Sequence, residues 1–112
     1  MQFSKKLIGS TTTTLLLAVL AEKERHGYGI VQRVDQLSKG AFQWREGTIY
    51  PALHRLEKQG FIVGDWEPGE SGRQRRVYAI TPLGKDQLSQ QRQEWSLFSS
   101  TVNRVLKGCH AT

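Results

Sequence analysis

Two neighbouring segments of the chain carry basic and hydrogen-bonding side chains at spacings suited to binding a polyanion. In the first, residues 46–60, apolar residues recur at helical spacing, which predicts an amphipathic helix with a polar outer face. The second, residues 71–76, reads Ser-Gly-Arg-Gln-Arg-Arg and lies between two runs rich in β-forming residues. Because guanidinium groups bind phosphate oxygens through paired hydrogen bonds, this arrangement predicts a phosphate-binding surface.

The helix predicted over about residues 46–59 supplies side chains that could reach DNA bases. Its apolar positions share one side of the helical wheel: Ile49, Ala52, Leu53 and Leu56. Five polar side chains lie on or beside the opposite side: Thr48, Tyr50, His54, Arg55 and Lys58. A helix fits the major groove of duplex DNA, where such side chains contact base edges. Alternatively, His54 is an ordinary surface histidine, Tyr50 packs against the domain, and the charges form a solvated face.

The hairpin between residues 61 and 80 is the second candidate DNA contact. Its tip is predicted to lie along an adjacent phosphate backbone or to enter a minor groove. Gly72 permits the tight turn. The predicted contacts at this tip are Ser71, Gly72, Arg73, Arg75 and Arg76.

The elements that position these segments follow the order α-α-α-β-β-α. This predicts a mainly α fold with a small β-hairpin, a winged helix-turn-helix with an added C-terminal dimerisation helix. We expect a DNA-binding domain over residues 1–81, a dimerisation helix over 82–107 and a disordered tail over 108–112. The first helix should form the buried centre, since it is apolar on most sides. Trp44 and Trp66 are expected in the core or at its edge. The predicted elements cover about residues 11–24, 28–38, 46–59, 61–66, 76–80 and 82–107.

The composition fits a single basic domain. The chain has 112 residues, and 16 Lys and Arg against 10 Asp and Glu give a formal net charge of +6, which suits an anionic partner. Cys109 is the only cysteine, so an intrachain disulfide is excluded and a reducing compartment is expected. The apolar run Leu15–Ala21 is too short to span a membrane, and charged residues 22–25 follow where a signal cleavage site should stand. We therefore expect a cytoplasmic protein without membrane contact.

The last predicted helix carries an apolar stripe with spacings of a two-helix seam. The stripe consists of Leu88, Trp95, Phe98, Val102 and Val105. An apolar stripe of this length marks an interface, which predicts a homodimer. Two recognition helices about 34 Å apart would then meet successive major grooves. The alternative is that this helix folds back onto the first helix of the same chain. Trp95 either packs in the interface or stacks on a flat ligand.

At these residues the sequence resembles the PadR family of bacterial transcriptional regulators. The resemblance covers about residues 12–107, with Gly29 and Val77 as departures from the family pattern. It implies a homodimeric winged-helix repressor of a near-palindromic operator, relieved in some members by an aromatic effector at the interface, where Trp95 lies. We include Tyr28 in the predicted DNA-binding set. The matching segments are residues 26–29, 46–57, 71–78, 80–84 and 94–95.

A sequence-specific repressor is the leading functional hypothesis. The alternative is a winged-helix module that binds an acidic protein partner through its basic face. An enzyme is a poor third hypothesis, because no nucleophile–base pair, paired carboxylates or glycine-rich phosphate loop stands out. His110 and Cys109 lack the spacing of a zinc site, so neither a metal nor a cofactor is expected.

Overall fold

The computed structural model describes residues 3–109 of the chain. It is mainly helical, with one small antiparallel sheet and a long C-terminal helix that extends the molecule to 61 Å in its longest dimension. The elements in chain order are α1 (Lys5–Gly9), α2 (Thr12–Glu22), β1 (Arg25–His26), α3 (Gly27–Leu37), α4 (Glu46–Lys58), β2 (Ile62–Pro68), β3 (Gln74–Ile80) and α5 (Pro82–Gly108).

The core forms around α2, as its apolar sequence predicts. Leu16 and Leu17 are completely buried, and α2 packs against α3, α4, β3 and the start of α5. Burying one such side chain stabilises the fold by about 1.5–3 kcal/mol. The remaining core residues come from α2 itself, from these neighbouring elements and from the start of β2: Val19, Leu20, Ile30, Val34, Ile49, Ala52, Leu53, Leu56, Ile62, Tyr78 and Leu88.

The sheet has the strand order β1-β3-β2, with both pairs antiparallel. In the wing hairpin Ile62 pairs with Ile80, and Pro68 pairs with Gln74. β1 adds a short third strand on the other edge of β3. The winged-helix architecture is therefore confirmed, with α1 and β1 as two short elements that the sequence pattern did not predict.

The ends of α4 and α5 are fixed by local backbone chemistry. Gly60 adopts a left-handed φ of +80°, and the Phe61 N–H bonds to the Leu56 carbonyl at 3.0 Å, which ends α4. Thr81 caps α5, since its hydroxyl accepts a hydrogen bond from the Gly84 N–H at 3.0 Å. The same hydroxyl donates to the Gly60 carbonyl at 2.7 Å, so one side chain joins the end of α4 to the start of α5.

Two expectations about apolar residues were wrong. Leu88 belongs to the intrachain core with 6% exposure, because the first part of α5 packs against α2 and closes the domain. Trp66 is 60% exposed, because it lies on the wing beyond the core, beside the gap between the wing and α4, whereas Trp44 does pack against the core. α5 continues through Gly108 and is capped by Cys109, so only the start of the predicted tail is described.

Candidate nucleic-acid interface

The outer face of α4 is free of cover from the rest of the described chain. Its buried side carries Ile49, Ala52, Leu53 and Leu56, as the helical wheel predicts. The opposite ridge is exposed and consists of Gly47, Pro51, His54 and Lys58. Pro51 lies inside the helix and has no N–H for the Gly47 carbonyl, four residues earlier. The ridge thus presents a histidine and a lysine outward, and the Gly47 carbonyl lacks its usual donor four residues later.

The tip of the wing is an exposed, cation-bearing turn. Gly72 has a φ of +77°, in the left-handed region that favours glycine. The Gly69 N–H donates to the Arg73 carbonyl at 2.6 Å, which closes the loop between β2 and β3. Ser71, Arg73 and Arg75 are exposed. The guanidinium groups of the two arginines therefore point from a fixed backbone into solvent.

A cleft of about 780 Å³, the wing-side cleft, separates the wing from α4. It brings together five of the predicted DNA-binding residues that are exposed: Tyr28, Tyr50, His54, Lys58 and Arg75. Tyr28 comes from the start of α3 and is 54% exposed. Three elements that are distant in sequence thus contribute to one surface.

Arg76 is held differently from the other two wing arginines. Its Nη2 donates to the Glu57 carboxylate of α4 at 2.7 Å, and its guanidinium lies 5.5 Å from the centre of the Trp66 ring. Its Nε is buried without a hydrogen-bond partner among the described atoms. Arg76 therefore connects the wing to α4, with less of its guanidinium open to a phosphate than in Arg73 or Arg75.

Sequence reasoning missed the two carboxylates in the wing-side cleft. Glu46 accepts a hydrogen bond from the Tyr50 hydroxyl at 3.2 Å, and Glu57 pairs with Arg76. Burial and the Glu46 charge raise the pKa of Tyr50, so its phenol stays protonated and keeps its O–H donor. The spacing of four residues from Glu46 to Tyr50 indicates the first contact. The second joins residues far apart in sequence.

The start of α3 is fixed by His26. Its Nδ1 accepts a hydrogen bond from the Gly29 N–H at 3.2 Å, so the ring caps the helix through this nitrogen. Gly27 is buried beside Glu46 and Tyr50, where a β-carbon would lie 3.6 Å from the carboxylate. These contacts set the direction in which Tyr28 projects into the wing-side cleft.

Thr48 and Arg55 lie on the other flank of α4. Both are exposed, but neither lines the wing-side cleft. They line a separate groove of about 550 Å³ between α4 and α1. The predicted DNA-binding residues of α4 are therefore divided between two concave surfaces, with the exposed ridge between them.

Most of the predicted dimer stripe on α5 is exposed. Trp95, Phe98, Val102 and Val105 are 48%, 59%, 39% and 59% exposed, so only Leu88 is covered by the chain itself. Trp95 and Phe98 also line a cavity of about 520 Å³ next to the start of α2. Its other lining residues include Ser10, Thr11, Thr13 and Thr14. No helix in the described part of the chain has the length and apolarity needed to cross a membrane.

Comparison with protein families and known structures gives a consistent result. Residues 16–90 match the model of the transcriptional regulator PadR-like family. An uncharacterised protein of Lysinibacillus sphaericus is 33% identical over 95 residues, which are 85% of this chain and 87% of that protein. The transcriptional regulator Rv3488 of Mycobacterium tuberculosis is 40% identical over 72 residues, 64% of each chain.

Solved structures share the whole architecture, including the long last helix. A transcriptional regulator from Clostridium thermocellum superposes with a TM-score of 0.82 at 30% identity, covering 91% of this chain and 96% of that one. A PadR-like transcriptional regulator from Bacillus cereus superposes with a TM-score of 0.77 at 28% identity, covering 94% and 100%. The predicted family and fold are therefore confirmed.

Proposed function

Because this chain belongs to the PadR-like family of transcriptional regulators, whose members bind DNA and are not enzymes, we propose that it is a cytoplasmic, homodimeric repressor. It binds a near-palindromic operator through α4 and the wing. A small aromatic effector lowers its affinity for the operator.

The wing-side cleft is the observation that carries this proposal. It joins the exposed ridge of α4, with His54 and Lys58, to Arg75 of the wing. A recognition helix in the major groove beside a cationic hairpin combines base contacts with phosphate contacts. His54, Tyr50 and Thr48 are assigned to base edges or their neighbouring phosphates, and the exposed wing residues Ser71, Gly72, Arg73 and Arg75 to the backbone.

The exposed half of α5 supports assembly as a homodimer. From Arg92 to the end of the described helix, every residue except Ser99 is exposed, including four residues of the predicted stripe. Water-exposed aromatic and branched side chains at seam spacing are stabilised by packing against an equivalent helix. A second copy supplies that helix, and a twofold axis matches an operator with two similar half-sites.

The cavity next to Trp95 supports an effector site. Trp95 is half exposed, Phe98 lies 6.4 Å away between ring centres, and serine and threonine residues line the other side. Such a site suits a flat aromatic molecule with a few polar substituents. Because the cavity lies beside the proposed dimer interface, its occupation changes the relative position of the two DNA-binding domains.

The primary experiment measures DNA binding by fluorescence anisotropy. The duplex carries the DNA upstream of the protein's own gene, and a scrambled duplex of equal length is the control. We expect affinity for both duplexes to fall as salt rises, by roughly 10³–10⁵-fold between about 50 and 200 mM if six to ten phosphates are contacted. Only the upstream duplex should show specific binding. Absence of binding to any duplex at low salt would contradict the proposal and favour a protein-binding module.

The effector site is tested separately with DNA-free protein. Titration with 9-aminoacridine, a planar aromatic probe, should be saturable in the wild-type protein and lost in Trp95→Ala. Trp66→Ala is the matched control, because Trp66 is also exposed but lies on the wing. Equal binding by the two variants would exclude Trp95 as the contact.

A further inference from the structure

The groove between α1 and α4 is a second cationic surface, which we call the α1-side groove. Its charged lining residues are Lys5 of α1, Arg45 at the start of α4 and Arg55 of α4. All three are exposed. Their positions are far apart in sequence, so α1 and the turn before α4 have to fold together to form this patch.

The charge of this groove differs from that of the wing-side cleft. The wing-side cleft contains Glu46 and Glu57 next to its cations, whereas the lining of the α1-side groove includes no acidic residue. Within residues 3–109, Lys5, Arg45 and Arg55 form no ion pair. Their charges are therefore available to an anionic partner.

The position of Arg45 at the start of α4 is unfavourable for the stability of that helix. It occupies the N-cap of α4 and makes no side-chain capping hydrogen bond there. The helix dipole places partial positive charge at this end, so a carboxylate would stabilise α4 and a guanidinium does not. Glu46, the acidic residue of this first turn, lines the wing-side cleft and bonds to Tyr50, so on the α1 side the positive charge of Arg45 and the helix terminus attracts phosphate.

The two cationic surfaces lie on opposite flanks of the exposed ridge of α4. Thr48 and Arg55 line the α1-side groove, and Tyr50 and Glu57 line the wing-side cleft. The major groove of B-DNA is about 12 Å wide and has a phosphate backbone along each edge. A helix inserted into it therefore has one backbone on each flank.

We infer that the α1-side groove binds the sugar–phosphate backbone at the edge of the major groove opposite to the wing. Lys5, Arg45 and Arg55 contact its phosphate oxygens, and the Thr48 hydroxyl lies at the boundary between this backbone and the bases. The inference rests on the proposed DNA-binding function. On this inference, cations on both flanks of α4 hold the helix in the major groove.

The test uses the double variant Lys5→Gln/Arg45→Gln in the full chain. Its slope of log affinity against log salt should be less steep than that of the wild type by about 1.8, because each phosphate that is no longer neutralised accounts for about 0.9. Affinity for operator and scrambled duplex should fall by the same factor. Lys107→Gln, in the last turn of α5, is the control for reduced net charge. Far-UV circular dichroism should be unchanged, because both substituted side chains are exposed.

Phosphate-ethylation interference locates the bound phosphates independently. The double variant should lose sensitivity to ethylation at one set of phosphates, and Arg73→Gln/Arg75→Gln should lose it at another set across the major groove. A double variant with the salt slope and interference pattern of Lys107→Gln would overturn the inference. The proposed function would still stand in that case if the wild-type protein bound DNA and Arg73→Gln/Arg75→Gln bound it more weakly. Absence of wild-type binding would remove both.

Discussion

Arg76 of β3 donates a hydrogen bond to Glu57 of α4 at 2.7 Å, and this ion pair joins the wing to that helix. Both side chains are largely covered, and Gly64 lies directly against the guanidinium, where a β-carbon would approach Nε to 2.5 Å. The wing is therefore held to α4 by a contact between side chains as well as by the backbone of the hairpin.

The three wing arginines should respond differently to substitution. Arg73→Gln and Arg75→Gln should each reduce the steepness of the salt dependence of DNA binding by about 0.9, because each removes one exposed guanidinium. Arg76→Gln should leave that slope nearly unchanged and lower the free energy of unfolding by about 1 kcal/mol. Fluorescence anisotropy over a salt series and urea unfolding measure the two effects. A slope change in Arg76→Gln equal to that in Arg73→Gln would show that Arg76 leaves Glu57 when DNA binds.

Two glycines within helices should respond oppositely to alanine. A β-carbon on Gly84 would overlap the Phe61 carbonyl, so Gly84→Ala should destabilise the protein by about 2 kcal/mol. A β-carbon on Gly47 would meet nothing within 4 Å, so Gly47→Ala should stabilise α4 by about 0.5 kcal/mol. Urea unfolding followed by circular dichroism measures both. Changes of the same sign would contradict the packing described around Gly84.

The Glu22 carboxylate should make the stability of the fold depend on pH. Hydrogen bonds from Arg33, together with the charges of Arg33 and Arg25, lower the pKa of Glu22 from 4.5 to about 2. Because the folded-state pKa is depressed, the stabilisation is present above about pH 4.5 and is lost as pH falls towards 2. The effect should be small and weakened by salt, since the pair is exposed to solvent.

Unfolding of Glu22→Gln across this pH range tests the assignment. The variant should lose less stability than the wild type between about pH 4.5 and 2. Glu24→Gln is the matched control, because Glu24 is exposed and has no ion pair within residues 3–109. Parallel pH profiles for wild type and Glu22→Gln would refute the assignment.

The apolar stripe on α5 should control assembly. Phe98→Asp should weaken the dimer by about 30-fold or more, since removing a central interface residue costs about 2 kcal/mol or more. Leu97→Asp is the matched control, because Leu97 is 68% exposed but lies off the stripe. Analytical ultracentrifugation at micromolar concentration measures the dimer dissociation constant. Sedimentation of the wild type as a single chain would contradict the proposed interface.

The parts of the fold that sequence reasoning predicted depend on local signals. The helix start at Thr81-Pro82 and the helix end at Gly60 follow from capping chemistry within a few residues. The buried side of α4 follows from helical spacing, and the wing from two β-rich runs around a glycine-containing turn. These features need no knowledge of which elements pack together.

The remaining features depend on contacts between distant residues. Leu88 continues the spacing of the α5 stripe, but helical spacing alone does not distinguish a neighbour in the same chain from one in a second chain. Trp66 shares a strand face with the buried Ile62 but lies beyond the core, where its ring faces Arg76. The ion pair between Glu57 and Arg76, 19 residues apart, and the groove that Lys5 and Arg45 both line form only after the helices and the wing have packed.

The projecting end of α5 links helix formation to protein concentration. Most of the stability of a helix in a protein comes from tertiary packing, and the exposed segment after Arg92 has little packing from its own chain. Dilution should therefore uncoil this segment as two chains separate, and helical content would report association. A cell that makes too little of the regulator would then contain single chains. Each would have one winged-helix domain and an unfolded C-terminal segment accessible to proteases.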